Sequence, residues 1–475
     1  MGMVTSVKSK RPAIRRALSA AAVVAIATST AVATATDLPP STPDVYRASS
    51  GSGNLASMGY LGQNTTVVVI DTGVADVPAL EGKLLTQVNL SAGSDTGDEY
   101  GHGTFVAGIV HEIAPEARII SLKLSGADGS VDVTQVLAAL QWVAINRDRY
   151  SIDVVNLSFG NDSRQSANTS LLNFGVQQLW DRGIVVVASA GNAGDQPGTV
   201  TKPGDDPVII SVGSSDEQGT GDRGDDFVPG FVSRGPTQDG FAKPDLVAPG
   251  ARLVSLRAPG STVDQLHPEA RVGADRFRGS GTSFSAPLVA GVVAQMLSAE
   301  PRLTPDQVKY GVLKGATWIN GDAAALGAGT IRGSRALQFA SSGRANVGVG
   351  RGNGSGSVDG ARGSTTVDVE TRLEQLDGTV VRTKVRLRGN HTAETVPISA
   401  EPPAVAEGET AIDGLDGFDP VAYRDPAGWE ASSWGASSWG ASQWGASQWG
   451  ASSWGASSWG ASSWGSSQWW ASSWG

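Results

Sequence analysis

Three residues in this chain are of types that do covalent chemistry together. Asp71 closes the apolar run Val68-Val69-Ile70 and opens a turn at Thr72-Gly73. His102 stands between two glycines in Gly101-His102-Gly103-Thr104, and Ser283 lies in Gly281-Thr282-Ser283-Phe284-Ser285-Ala286-Pro287, ahead of an apolar stretch. A serine hydroxyl is a poor nucleophile at neutral pH until an imidazole takes its proton, and a carboxylate can hold that imidazole in one tautomer. Each residue also has a plainer reading. A strand-end carboxylate can be structural, and Asp-Thr-Gly also marks aspartic proteases. A histidine at a helix start can be a cap or merely exposed. A serine before an apolar helix is usually an N-cap, and a proline in the first turn fits that role. Of the four histidines, His111, His267 and His391 lack the glycine-flanked setting of His102.

The elements that must position these residues read as an α/β domain. From about residue 61 to 340, apolar runs alternate with helix-periodic segments, the pattern of a mainly parallel sheet. Thr66–Ile70, Ile119–Leu122, Val154–Leu157 and Ile184–Ala188 are predicted as buried strands, and Val133–Asn146 and Ser170–Arg182 as helices. Ligands of such sheets gather at the carboxyl ends of strands, where Asp71 falls. Residues 36–60 read as an N-terminal extension leading into the domain. Residues 341–428 turn rich in Gly, Pro and charge and read as linker with at most a small hairpin around Asp377-Gly378. Residues 429–475 repeat an Ala-Ser-Ser-Trp-Gly unit and hold eleven of the fourteen tryptophans. A five-residue period fits neither one helix face nor one strand face, so an ordinary packed core is not expected there.

In combination the three motifs resemble the three signatures of the subtilisin-like serine proteases, the subtilases, in that family's order of Asp, His and Ser. Further stretches carry the same resemblance: Val154 to Gly160, Ser189-Ala190-Gly191-Asn192, Phe231 to Pro236 and Lys243 to Gly250. It covers roughly residues 45 to 340. The resemblance implies a three-layer subtilisin-like domain and a serine endopeptidase acting on protein or peptide substrates. It assigns Asp71, His102 and Ser283 as the catalytic triad and Asn192 as an oxyanion-hole donor beside the Ser283 backbone N–H. It also implies that Ser158, Phe159, Gly160, Ala190 and Gly191 line the substrate cleft, where extended peptide pairs with their backbone. No cofactor is required for such chemistry; structural calcium is frequent in the family but maps to no residues here. The chain departs from the family at three points. Phe284 follows the nucleophile where Met is common, which leaves catalysis intact and removes an oxidisable side chain. Phe105 stands where His often follows Gly-His-Gly-Thr. Little room for an inhibitory prodomain is expected between Ala35 and Asp71.

Bulk properties set the context. Residues 1–35 carry five cations, Lys8, Lys10, Arg11, Arg15 and Arg16, then the apolar run Ala17–Ala33 and small-residue cleavage patterns, which is the layout of a signal peptide. Its removal takes the formal charge from −10 to −15, which argues against nucleic acid and anionic membrane as partners. Cysteine is absent, so disulfides, thiolate metal sites and a cysteine nucleophile are excluded. A secreted or cell-surface enzyme is expected, with the tail holding a surface polymer or self-associating. Two competitors remain in view: an aspartic protease through Asp71, which leaves the other two motifs unexplained, and a catalytically inactive binding protein acting through its tryptophan-rich tail.

Overall fold

The computed structural model describes residues 39–91 and 95–363, with the backbone of three further strands between 366 and 397; the expected signal segment and tryptophan repeat lie outside the described residues. Two short helices come first, α1 (Pro43–Ser50) and α2 (Ser52–Ser57), followed by β1 (Thr66–Asp71), β2 (Leu84–Asn89), α3 (His102–Ile113), β3 (Arg118–Lys123), α4 (Val133–Tyr150) and β4 (Val154–Leu157). Then come α5 (Leu171–Asp181), β5 (Val185–Ser189), β6 (Ile210–Ser215) and β7 (Leu246–Pro249). A smaller three-stranded sheet takes β8 (Leu253–Leu256), β9 (Arg271–Val272) and β10 (Arg276–Gly279), with α6 (Thr262–Leu266) between them. The long α7 (Thr282–Ala299) precedes α8 (Pro305–Gly315), α9 (Ala323–Leu326), α10 (Gly333–Ala340) and α11 (Val358–Ala361).

The main sheet runs β2-β3-β1-β4-β5-β6-β7, parallel throughout. Every residue of β1, β4 and β5 is buried, as expected for parallel strands covered on both faces, and this is why their sequences show apolar runs instead of alternation. Helices α3 and α7 pack together, as do α4 and α5, forming the two helical layers of a three-layer α/β domain. From β1 the chain runs to β2 and back through β3 on one side, then crosses to β4 on the other. That divergence is the switch point at which a parallel sheet opens a crevice at its carboxyl edge. The apolar α7 is long enough to cross a membrane by composition, but 89% of that stretch is buried inside the protein, as a core helix is.

The predicted strands and both helices lie where the runs placed them, with ends shifted by a residue or a turn. Not foreseen were the edge strand β2, the strands β6 and β7, whose Gly, Ser and Pro content weakens the strand signal, and the β8–β10 sheet. In the stretch read as linker, residues 341–363 lie against the domain. Beyond them β11 (Thr366–Glu374), β12 (Val380–Arg388) and β13 (Ala393–Pro397) pair as an antiparallel sheet.

The N-terminal helices are tied in by Tyr46 and Leu55, both fully buried, and by Ser41, which bridges to Leu253. The Ser41 hydroxyl donates to Glu217 Oε2 at 2.9 Å and that of Ser215 to Oε1 at 3.0 Å. Burial, with the Asp216 and Asp226 carboxylates nearby, pushes the Glu217 carboxyl up to about 8. A carboxyl whose folded pKa lies above its unfolded value contributes stability below the unfolded value and loses it as pH rises through the folded one. Glu217 should therefore cost the fold on the order of 1 kcal/mol per pH unit between the ordinary carboxyl range and pH 8. Thermal unfolding at pH 5 and pH 9 checks this: Glu217→Gln should lose less stability than the wild type over that interval, and an equal loss would exclude Glu217 as the source.

Candidate active site

The crevice at the carboxyl edge of β1 holds the first two residues in direct contact. Asp71 is the last residue of β1, and its Oδ1 accepts the Thr72 backbone N–H at 2.8 Å and lies 2.7 Å from His102 Nδ1. His102 opens α3. Both side chains are 3% exposed, so the contact is made away from water. α3 comes this close because its second residue is glycine: a Cβ at Gly103 would stand 2.0 Å from the Gly73 carbonyl oxygen.

A residue that sequence reasoning passed over organises this corner. The Asp98 carboxylate is buried, and Oδ1 accepts from Thr72 Oγ1 at 2.8 Å and the Gly101 N–H at 2.7 Å. Its Oδ2 accepts from the Thr104 N–H at 2.8 Å and from Thr104 Oγ1 at 2.6 Å. Thr72 Oγ1 in turn accepts the Gly103 N–H at 2.9 Å. Asp98 thus joins the residue after Asp71 to both sides of His102. Burial pushes its carboxyl above the usual range, while the four donors pull it back. The only hint in the sequence was an Asp four residues ahead of a glycine-flanked His.

Ser283 is the second residue of α7, with Gly281 at the cap position, so it does not cap the helix. Pro287 is the sixth helical residue and lies beyond the first turn. A proline there has no N–H to offer the carbonyl four residues back, which is that of Ser283. That carbonyl instead accepts from Ser158 Oγ at 2.7 Å, and Ser158 Oγ accepts from Asn156 Nδ2 at 2.8 Å. Asn192 sits across from the helix start. Its Oδ1 accepts from both the Thr282 N–H and Thr282 Oγ1 at 2.9 Å, which orients the amide, because a backbone N–H can only donate. Asn192 Nδ2 then lies 3.4 Å from where a Cβ of Gly281 would be. The two aromatic departures from the family pattern touch each other: the Phe105 and Phe284 rings are 4.3 Å apart, and Phe284 lies 5.4 Å from the His102 ring. They fill one buried space together and bring α7 against α3 beside the imidazole.

The expected cleft residues bracket the same place. Ser158, Phe159 and Gly160 follow β4, and Ala190 and Gly191 follow β5, with the Gly191 N–H donating to Thr282 Oγ1 at 3.1 Å. A Cβ on Gly160 would lie 2.1 Å from Thr201 Oγ1, and one on Gly191 2.8 Å from it, so both loops close on Thr201. Among the described residues no group of three or more Asp, Glu or His side chains is arranged to hold a metal ion.

The sequence profile of the Subtilase family matches residues 62–350, enclosing every residue of this site. The chain belongs to the subtilase family. It is 36% identical over 289 residues to the serine protease AprX of Bacillus subtilis (strain 168), covering 57% of this chain and 65% of AprX. It is 30% identical over 297 residues to subtilisin DY of Bacillus licheniformis, covering 59% of this chain and 94% of that protein. The yeast subtilase-type proteinase RRT12 of Saccharomyces cerevisiae (strain ATCC 204508 / S288c) matches at 30% over 263 residues, with 47% of its length covered. The chain therefore spans less than two thirds of AprX and of RRT12.

In this subtilase the Asp98 clamp should matter to rate as well as to stability. Asp98→Asn sets an amide against four donors, and the expected result is a lowered Tm with kcat on a chromogenic peptide reduced about 10- to 100-fold and KM little changed. An unchanged kcat in the folded variant would show that the clamp serves stability alone.

Proposed function

We propose that this subtilase is a secreted serine endopeptidase that hydrolyses peptide bonds through an acyl-enzyme. The observation that carries the reading is the buried 2.7 Å contact between Asp71 and His102 Nδ1 beside the start of the helix that bears Ser283. Asp71 holds the imidazole with Nδ1 protonated, leaving Nε2 as the base. As Ser283 Oγ attacks the scissile carbonyl, His102 takes its proton. His102 then returns a proton to the leaving amine, and water repeats the cycle on the ester. The oxyanion receives the Asn192 amide and the Ser283 N–H, the latter at a helix N-terminus whose dipole favours negative charge. Extended peptide lies along Ser158–Gly160 and Ala190–Gly191, and an apolar residue before the cut bond suits this cleft.

Active-site labelling with a serine-reactive phosphonate, followed by peptide mapping, tests the reading. The label should fall on Ser283, and Ser283→Ala should abolish hydrolysis with the fold intact; retained activity above a few per cent would remove Ser283 as nucleophile. Asn192→Ala should lower kcat by about 10²–10³ with little effect on KM, a magnitude carried over from the same kind of donor in subtilisin. A chain that folds but takes no label would favour an inactive surface-binding protein.

The leader at 1–35 supports export, and the tryptophan repeat supports retention at the cell surface. Regularly spaced indoles on an uncharged chain offer many weak stacking contacts whose avidity grows with their number, whether to a wall polymer or to other copies of the tail. Calcium, if bound, would serve the fold and not the reaction. Truncation before Trp429 should leave peptide hydrolysis nearly unchanged and move the enzyme from the cell-associated fraction or aggregates into free supernatant. Identical partitioning of the two forms would dispose of the adhesive role.

A further inference from the structure

The family match ends at residue 350, but the chain stays on the domain through Gly363. It crosses the α4–α5 face, where the Gly352 N–H donates to Gln177 Oε1 at 2.8 Å and the Gly356 N–H to the Thr169 carbonyl at 2.7 Å. α11 then seats Ala361, fully buried, in the main core. Arg362 Nε donates to Asp132 Oδ2 at 2.7 Å, and Asp132 is the residue that caps α4.

At this point the strap meets the loop that leaves the cleft wall. Asn161 Nδ2 donates to the Ala361 carbonyl at 2.8 Å, and Ser163 Oγ donates to the Gly360 carbonyl at 2.6 Å. Asn161 is 1% exposed, and its Oδ1 accepts the Ser163 N–H at 3.1 Å, so both ends of its amide are committed. Its backbone exchanges hydrogen bonds with Lys202 at 2.9 and 3.0 Å, next to Thr201, on which Gly160 and Gly191 both close. Three residues before Asn161, Ser158 holds the Ser283 carbonyl.

We propose that residues 351–363 are a built part of the cleft, a strap that fixes Asn161 and through it the position of Gly160, with Arg362 and Asn161 as positioning residues for substrate selection. The proposal rests on the reading of Ser158–Gly160 and Ala190–Gly191 as the cleft walls. A buried amide such as Asn161 keeps its place only while the Ala361 carbonyl accepts from it; without that acceptor the loop must turn Nδ2 toward water. Gly160, in contact with Thr201, moves with the loop, and the width of the wall beside the cut bond changes. Asp71, His102 and Ser283 stand on β1, α3 and α7, none of which the strap holds, and Ser158, which bonds the Ser283 carbonyl, is itself anchored by Asn156 within β4, so the chemical step is spared.

The test compares the full chain with Arg362→Ala, Arg362→Lys and Ser163→Ala, using peptides that differ only in Ala or Phe before the cut bond. Arg362→Ala should label at Ser283 as fully as the wild type and keep kcat within about twofold, while the ratio of KM for the two peptides shifts roughly fivefold or more. Arg362→Lys should recover part of that shift, since it restores the charge opposite Asp132. Ser163→Ala removes one hydroxyl only and keeps the comparison available should Arg362→Ala not fold. A peptide ratio unchanged within about twofold in the folded variants, even with a lowered Tm, overturns the proposal and leaves the strap a purely stabilising element. A wild-type chain that neither labels nor cleaves overturns the peptidase reading itself, a result distinct from the first.

Discussion

Taking a carboxylate and an imidazole out of water together costs more than their attraction returns unless further hydrogen bonds complete the arrangement. Asp71 and His102, 2.7 Å apart and nearly sealed from solvent, meet that condition in part: Asp71 Oδ1 has a second donor, while Oδ2 is buried with no partner among the described residues. The Thr72 N–H serves Asp71, and Thr72 and Thr104 are gathered by Asp98, which also holds the backbone in front of His102. The glycine that follows His102 lets the α3 backbone approach the turn after β1. Removing the Asp98 carboxylate or the Thr72 hydroxyl leaves a buried donor unpartnered, the costly half of hydrogen-bond energetics. Much of the local sequence between residues 71 and 104 answers to that one contact.

The start of α7 is constrained in the same manner by what it lacks. Pro287 withholds the N–H that would have closed the helix onto the Ser283 carbonyl, and Ser158 takes up the free oxygen, binding the end of β4 to the Ser283 peptide unit. Thr282 fixes the face that Asn192 presents. Phe105 and Phe284 replace two residues that the family commonly places there, and they do so as a contacting pair, so packing between α3 and α7 is kept although neither side chain follows the pattern. Volume at a buried contact is shared between partners, and a change on one helix is accommodated by the other.

Without cysteine, the far edge of the sheet is held by buried ion pairs instead of covalent links. Lys202 pairs with Asp205, Lys243 and Lys309 with Asp245, and Arg252 with Asp216 through two bonds of 2.6 and 2.7 Å. Burial holds the Lys309 ammonium down at about 8 despite its carboxylate partner. Such pairs add little net stability, but breaking one strands a buried charge, so they specify where the loops after β5 and β6 must lie. Those are the loops that carry Lys202 next to Thr201, against which Gly160 and Gly191 close.

The sequence by itself determined the class of fold and the residues to watch. Uninterrupted apolar runs such as Thr66–Ile70 mark parallel strands because burial on both faces removes alternation, and Asp71, His102 and Ser283 stand out because their flanking glycines and turns are local features. Asp98, Asn156 and the strap were not legible in the same way. Nothing in the residues near Asp98 says that Thr72 and Thr104 will face it, and Asn156 reads only as a polar interruption in a strand. The stretch after residue 340 reads as linker because its Gly and charge content suits a loop, yet Arg362 meets Asp132 and Ala361 meets Asn161 across some two hundred positions of chain. Local composition reports backbone propensity and periodicity. Which buried donor finds which acceptor is decided only when distant segments share one interior, where every polar group must be satisfied at once.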